Sequence, residues 1–166
     1  MRYRDCPTVE ASEFVSTSPE AAWALVTDIT FPVQFSSELR NVEWLGQYHC
    51  VEVGARFRGH STHDALGDWS TECEIVEVED KRRWVWNVLF GAEVSATWGF
   101  EVDPARGGVL LRQWARMGPG RSGLSYAIDE LPDKEARIIA RRLNEWKTGI
   151  EANLAGARKI FQPGSK

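Results

Sequence analysis

The sequence predicts an α+β fold in which a long C-terminal helix packs on an antiparallel sheet. Two observations support this prediction. Apolar residues recur at steps of three and four from about residue 132 to 161, the spacing of an amphipathic helix. Between a short helical segment near the start and this helix, segments of alternating apolar and polar residues are separated by short turns, which is typical of an antiparallel meander. The long helix cannot bury its apolar stripe alone, so it must lie across the sheet.

The first elements follow from local signals. Residues 9–15 alternate and predict the first strand. Ser18 has the properties of a helix N-cap, with Pro19 at the first helical position, so a short helix should run to about Asp28. Pro32 interrupts this helix, and residues 32–39 are expected to form a second short helical turn.

Six further strands are predicted between the helices. Alternation and turn residues place them at residues 42–45, 54–63, 69–78, 84–89, 94–102 and 109–117. On the strand of residues 54–63, His63 shares a face with Phe57 and Ser61, whereas His60 faces the opposite way. The two histidines are therefore a poor metal-binding pair. Residues 118–130 are expected to form a loop before the last helix.

Bulk composition limits the classes of function. The 166 residues suit a single domain, with a core over about residues 9–161. A net charge of −4 gives no basic excess for nucleic acid, and no apolar run reaches the roughly 18 residues of a membrane span. The first residues lack a signal-peptide pattern, so a cytoplasmic location is expected. The three cysteines contain no Cys-x-x-Cys pair, which argues against a zinc site; no metal and no cofactor are expected.

The element order, together with several sequence stretches, resembles the START-like (SRPBCC, Bet v 1-like) superfamily. Within it, the chain is similar to the polyketide cyclase/dehydrase and lipid-transport group. The matching stretches are residues 9–12, 18–28, 54–59, 69–73, 96–101 and 107–109. The resemblance implies a helix-grip fold with a cavity between sheet and helix, suited to a flat, apolar ligand held by a few polar anchors. Because the superfamily includes carriers, receptors, resistance proteins and cyclases, the fold does not decide the activity.

The chain departs from the pattern of the aromatase/cyclase branch. The resemblance implies a tyrosine and inward-pointing arginines that polarise a polyketide carbonyl. Residues 35–39 contain no tyrosine, and the inward face of residues 69–75 contains no arginine. Arg141 and Arg142 on the last helix are expected to be solvated.

Two residues are candidates for acid/base chemistry. Histidine is the side chain type best suited to proton transfer near neutral pH, which makes His63 a candidate; a structural or exposed role at the strand end is the alternative. Glu38 is expected near the cavity mouth, where a desolvated carboxylate can act as a base; otherwise it is an ordinary surface residue. Tyr126 is expected to anchor a ligand or pack in the loop, and Trp69 and Trp98 either stack on a planar ligand or belong to the core. The candidate ligand-binding residues are Phe35, Phe57, Ser61, Trp69, Thr71, Trp98, Gln113 and Tyr126.

The leading functional hypothesis is a protein that binds an apolar, polyketide-like or polycyclic small molecule and promotes its cyclisation or dehydration in secondary metabolism. The alternative is a carrier, sensor or self-resistance protein without turnover. A third is an interaction module that regulates partner proteins. A polar cluster deep in the cavity would favour the enzyme, an apolar cavity the carrier, and a cavity filled by side chains the interaction module. The oligomeric state stays open, with a homodimer possible.

Overall fold

Seven strands form one antiparallel sheet in the computed structural model, which describes residues 1–163. The strands are β1 (Thr8–Val15), β2 (Leu39–Trp44), β3 (Arg56–His63), β4 (Gly67–Glu79), β5 (Arg83–Phe90), β6 (Glu93–Ala105) and β7 (Gly108–Met117). Their order across the sheet is β1-β7-β6-β5-β4-β3-β2. The chain thus runs as a meander from β2 to β7, and β1 pairs with β7 at the far edge.

Within the described residues, three α-helices accompany the sheet: α1 (Pro19–Val26), α2 (Gly123–Glu130) and α3 (Glu135–Ile160). α1 begins as the sequence predicts, because the Ser18 hydroxyl accepts a hydrogen bond from the Ala21 N–H at 3.1 Å. The second short helix expected after it is a single 3-10 turn, Phe31–Gln34. No helix within residues 1–163 is long and apolar enough to cross a membrane.

α3 packs more closely against one side of the sheet than against the other. Its apolar stripe, including Ile139, Ile150, Leu154 and Ala157, is buried, and its backbone packs closely on β1 and β7. Towards β3, β4 and β6 the contacts are instead made by long side chains reaching from the helix, such as Trp146 against Trp98. The backbone of α3 therefore lies farther from the sheet on the β3–β6 side. The helix-grip fold predicted from the sequence is confirmed.

Aromatic rings fill much of the interior. The rings of Trp84 and Trp86 stack with centroids 4.4 Å apart, and Trp84 also stacks on Phe100 at 6.1 Å. Phe31 packs against Phe100 from the 3-10 turn. The indole N–H of Trp84 donates to the Val26 carbonyl at 3.0 Å, which satisfies a buried polar group and fixes the end of α1 on the sheet.

The outer face of the sheet carries a network of ion pairs across neighbouring strands. The Glu101 carboxylate accepts hydrogen bonds from Arg83, from Arg112 at 2.7 Å and from the Trp114 indole at 3.0 Å. The Trp114 ring lies over Gly99, where a Cβ would come within 2.6 Å of it. The glycine is therefore required for this tryptophan to lie flat on the sheet.

One predicted segment is wrong. Residues 118–130 were expected to be a loop, but residues 123–130 form α2, whose N-cap Ser122 accepts from the Leu124 N–H at 3.2 Å. Tyr126 consequently lies on a helix. The preceding residues are held to the sheet, because the Gly118 and Gly120 N–H groups donate to the Ser95 and Val94 carbonyls at 2.8 and 2.7 Å.

Candidate functional site

Four polar side chains meet where α3 faces the ends of β2 and β3. We call Glu38, His63, Arg142 and Glu145 the charged cluster. Arg142 donates to both carboxylate oxygens of Glu38, at 2.7 and 3.2 Å, and to Glu145 at 3.4 Å. His63 Nε2 lies 2.6 Å from Glu145 and 3.9 Å from Glu38. The side chains are only 14–27% exposed, so the four groups form one partly desolvated network.

Local structure positions each member of the cluster. His63 is the last residue of β3. Glu38 precedes β2 in a turn in which the Ser36 hydroxyl accepts from the N–H groups of Glu38 and Leu39, at 3.1 and 2.8 Å. Arg142 and Glu145 are three residues apart on α3 and therefore lie on one face of the helix.

The hydrogen bonds of His63 define its tautomer. The Ala65 N–H donates to Nδ1 at 2.9 Å, so Nδ1 must carry a lone pair. Nε2 therefore carries the proton and donates it to the Glu145 carboxylate. The geometry describes a neutral imidazole that holds Glu145 in place.

The cluster has an excess of negative charge, since two carboxylates face one guanidinium and a neutral imidazole. Partial burial raises the pKa of Glu145, but the hydrogen bond from His63 and the charge of Arg142 outweigh it, so the pKa is lowered below its ordinary value. Glu145 is therefore anionic at neutral pH. Arg142 supplies the positive charge that lets two carboxylates lie so close together.

Tryptophan rings adjoin the cluster on its inner side. The Arg142 guanidinium lies 5.8 Å from the ring centre of Trp69 and 6.0 Å from that of Trp146, within range of cation–π attraction. Trp146 packs on Trp98 at 5.0 Å, and Trp98 is parallel to Trp86 at 6.4 Å. Trp69, Trp98 and Trp146 are all partly exposed. A planar molecule that separates these rings would gain stacking on both faces.

Further in, two amide side chains meet between β7 and α3. Asn153 Nδ2 donates to Gln113 Oε1 at 3.0 Å, and both residues are buried. Phe35 lies nearby against Gly156, where a Cβ would come within 2.5 Å of its ring. We call Gln113 and Asn153 the deep amide pair.

The structure brings some of the predicted ligand-binding residues together and separates others. Trp69 lies beside Arg142 of the charged cluster, Trp98 packs on Trp146 next to it, and Gln113 belongs to the deep amide pair. Phe57 is buried among Trp44, Trp84 and Trp86. Ser61 and Thr71 are partly buried on neighbouring strands.

Tyr126 lies outside the group of residues around the cluster. It is 56% exposed on α2, where its ring packs against Phe90 and Arg121. No described contact connects it with the charged cluster.

Sequence reasoning missed three residues of the site. Arg142 was predicted to be solvated, which is wrong: its side chain is 14% exposed and paired with Glu38. Its neighbour Arg141 is exposed as predicted. Glu145 and Asn153 were not singled out, although Glu145 lies one turn from Arg142 and Asn153 lies on the helix face that carries Trp146 and Ile150. A heptad-like count along α3 could have shown that this face is not wholly apolar.

Three cluster atoms could in principle converge on a metal ion. One ligand atom from each of Glu38, His63 and Glu145 lies within 4.8 Å of the others. A histidine that binds a metal through Nε2 must carry its proton on Nδ1 and donate it to an acceptor. Here Nδ1 faces the Ala65 N–H, a donor, and Arg142 already neutralises the carboxylates. The residues present therefore do not fit a metal site.

A surface groove of about 490 Å³ adjoins the cluster on the β2–β4 side. It is lined by Arg40, His60, Ser61, Thr62, Asp68, Trp69 and Ser70. His60 lies on the outer face, where it contacts Ser70 and Glu43, each at 2.8 Å. The opposite orientations predicted for His60 and His63 are thus confirmed. Trp69 lines the groove and also lies 5.8 Å from the Arg142 guanidinium.

Comparison with known proteins identifies the family to which this chain belongs. Residues 7–144 match the family model described as polyketide cyclase / dehydrase and lipid transport, and the chain belongs to this family. None of the curated proteins compared with the chain matches it.

Among solved structures, the chain is similar to the Polyketide_cyc-like protein Cgl2372 from Corynebacterium glutamicum, with 26% identity, a TM-score of 0.64, and coverage of 92% of this chain and 90% of that one. It is also similar to the di-domain ARO/CYC StfQ of the steffimycin biosynthetic pathway, at 17% identity and a TM-score of 0.70. That match covers 96% of this chain and 52% of StfQ, about the length of one of its two domains. Ara h 8.0201 shares the fold at 11% identity, a TM-score of 0.55, and coverage of 90% and 98%.

Proposed function

We propose that this protein binds a flat, apolar, polyketide-like or polycyclic molecule between α3 and the sheet and promotes its cyclisation and dehydration. The observation that carries the proposal is the charged cluster set against exposed edges of Trp69, Trp98 and Trp146. Stacking on the rings would hold the flat part of the ligand, and the cluster would meet its polar edge. Family membership and the structural likeness to StfQ support the same substrate class.

The cluster contains the groups that a ring closure with loss of water requires. Arg142 is a permanent cation that can stabilise the enolate oxygen formed when a carbon beside a carbonyl loses its proton. The Glu38 carboxylate would pass that proton to the second carbonyl oxygen, which becomes a hydroxyl group as the enolate carbon forms the new C–C bond. In the dehydration it would take a second proton from the same carbon and give it to the departing hydroxyl group, which leaves as water as the C=C bond forms. The carboxylate thus receives and gives one proton in each of the two steps, and no other reagent is needed.

His63 has a different role in this scheme from the proton transfer expected from the sequence. Its Nδ1 lone pair is engaged by the Ala65 N–H, and its Nε2 proton is donated to Glu145. A neutral imidazole that donates in this way is a weak acid, and it has no free lone pair to act as a base. We therefore assign it to positioning: it holds Glu145, which together with Glu38 orients Arg142.

Binding without turnover is the second candidate function, and one observation favours it. The contacts described between α3 and the inner face of the sheet are mainly aromatic, with polar groups concentrated in the cluster and the deep amide pair. A carrier or sensor of an apolar metabolite needs no more than this.

Aromatic ring contacts also fill much of the interior. A filled interior is the feature expected of the third hypothesis, an interaction module that acts through partner proteins.

Ligand binding can be tested with a matched pair of planar probes. Fluorenone and fluorene differ by one carbonyl group, so titration of tryptophan fluorescence with each measures stacking and carbonyl recognition separately. We expect both to bind and fluorenone to bind roughly tenfold more tightly, because Arg142 donates to its carbonyl. Arg142→Gln should remove this preference and leave fluorene binding intact, whereas Arg141→Gln should change neither. Absence of binding by both probes would contradict the proposal.

Turnover needs a separate experiment. A linear tetraketide thioester is incubated with the protein, and cyclised products are measured against the spontaneous reaction. We expect Glu38→Gln to lower product formation at least about 100-fold, the range of a lost general base. Glu43→Gln on the outer face is the matched control and should react like the wild type. Ligand binding without acceleration by the wild-type protein would favour the carrier.

A further inference from the structure

The deep amide pair contains a buried polar atom without a partner. Asn153 is 6% exposed, and its Nδ2 donates to Gln113 Oε1 at 3.0 Å. Asn153 Oδ1 is buried and has no hydrogen-bond partner among residues 1–163, the one such side-chain atom in that part of the chain. A buried acceptor left unpaired costs free energy, and most such atoms in folded proteins are satisfied.

The pair adjoins the space that the proposed function assigns to a ligand. Asn153 is on the same face of α3 as Gly156, on which the Phe35 ring lies, and as Ile150. Gln113 is on β7, opposite Phe100 of β6 in the sheet register. Apolar and aromatic groups thus surround the pair. In such a setting two leucines would pack equally well, so packing alone does not explain why the two residues are polar.

We infer that the deep amide pair is a ligand anchor in which Asn153 Oδ1 accepts a hydrogen bond from a hydroxyl group of the bound molecule. The inference rests on the proposed ligand binding and extends it by naming a substrate feature: a planar, apolar molecule with a hydroxyl at the end that enters first. The charged cluster would contact the opposite, carbonyl-bearing end. The two polar sites would then fix the direction in which the molecule enters, because only one end can donate to Asn153.

The test uses three probes built on one ring system and the whole 166-residue chain. Fluorene has no polar group, 2-hydroxyfluorene adds a hydrogen-bond donor, and 2-methoxyfluorene keeps the oxygen without the donor. Affinities are measured by isothermal titration calorimetry. For the wild type we expect 2-hydroxyfluorene to bind roughly tenfold more tightly than 2-methoxyfluorene, the gain from one hydrogen bond to a buried acceptor.

Two variants connect this preference with the pair. Asn153→Leu removes the acceptor at similar volume but leaves the Gln113 amide unpaired. The double variant Gln113→Leu/Asn153→Leu removes both amides, so it tests the inference even if the single variant folds poorly. In both variants the preference for 2-hydroxyfluorene should disappear, and fluorene should bind the double variant at least as tightly as it binds the wild type. A purely structural role for the pair would leave the order of the three affinities unchanged.

The outcomes separate the anchor from the proposed function. If fluorene binds but the hydroxyl and methoxy probes bind equally, or the methoxy probe binds more tightly, the anchor is overturned and ligand binding stands. If the double variant keeps the hydroxyl preference, the anchor is likewise overturned. If none of the three probes binds the wild type, the proposed function fails and the anchor fails with it.

Discussion

Arg142 and Arg141 are adjacent in the sequence and have opposite environments. Arg141 is exposed, whereas the Arg142 guanidinium lies between the carboxylates of Glu38 and Glu145 and near two tryptophan rings. Since neighbouring helical positions differ by about 100°, one arginine faces water and the next faces the sheet. The sequence alone shows two arginines of equal chemistry, and only the position of the helix on the sheet distinguishes them.

Loss of the Arg142 cation should destabilise the fold. Arg142→Gln leaves two partly buried carboxylates beside each other without a counter-charge, and we expect it to lower the free energy of unfolding by about 2 kcal/mol. Arg141→Gln, at the adjacent exposed position, should change it by less than about 0.5 kcal/mol. Urea denaturation at pH 7 measures both. Equal effects of the two variants would show that the cluster contributes no more than surface charge.

The tautomer of His63 can be observed directly. With Nδ1 accepting from the Ala65 N–H, the neutral ring should carry its proton on Nε2. Two-bond ¹H–¹⁵N spectra of the imidazole at pH 8 distinguish the two tautomers. We expect the Nε2–H form for His63. An Nδ1–H form would contradict the positioning role and restore His63 as a base.

At the level of elements, α3 was predictable and α2 was not. Apolar residues recur along α3 at steps of three and four for about seven turns, and this spacing fits a helix better than a strand or a loop. α2 spans only eight residues and follows Gly118, Pro119 and Gly120, residues that indicate a loop. Its Ser122 N-cap is a valid start signal, but Gly123 at the next position weakens it.

The two glycines of α3 provide a test of how tightly the helix is packed. A Cβ at Gly156 would come within 2.5–2.6 Å of three Phe35 ring atoms, whereas a Cβ at Gly149 would meet nothing within 4 Å. Gly156→Ala should therefore cost about 1–3 kcal/mol of stability through overpacking. Gly149→Ala should stabilise by roughly 0.5–1 kcal/mol through helix propensity.

Thermal unfolding followed by circular dichroism measures the two glycine variants side by side. Because both replace glycine by alanine in one helix, their difference isolates the contact with Phe35. If both substitutions stabilised the protein, the Phe35 ring would be free to move away from α3. Displacing it would then cost no measurable free energy of unfolding.

For the whole molecule, the fold could be predicted from the sequence more completely than the candidate site. Strand alternation and helix periodicity are local signals, and they were sufficient for the sheet, α1 and α3. The charged cluster instead joins Glu38 to Arg142 across 104 residues and His63 to Glu145 across 82. Glu38 and His63 were proposed because of their chemistry. Their partners could not be identified, because the rotation of α3 against β3 is set by packing between distant segments.

The response of the whole protein to acid should depend partly on Glu145. Its pKa is lowered from an ordinary value of 4.5 in the folded state, so the folded state prefers the anion. A lowered folded pKa contributes stability above pH 4.5, and that contribution is lost as the pH falls from 4.5 through the folded pKa. Glu145→Gln should therefore destabilise the protein at pH 7, and the difference from wild type should shrink steadily below pH 4.5. Glu151→Gln, at an exposed position on the same helix, should show no such trend. Urea denaturation of the wild type and the two variants between pH 7 and pH 3 measures these differences in the free energy of unfolding. If the destabilisation by Glu145→Gln stayed constant over this range, the carboxylate would not be stabilised as an anion by His63 and Arg142.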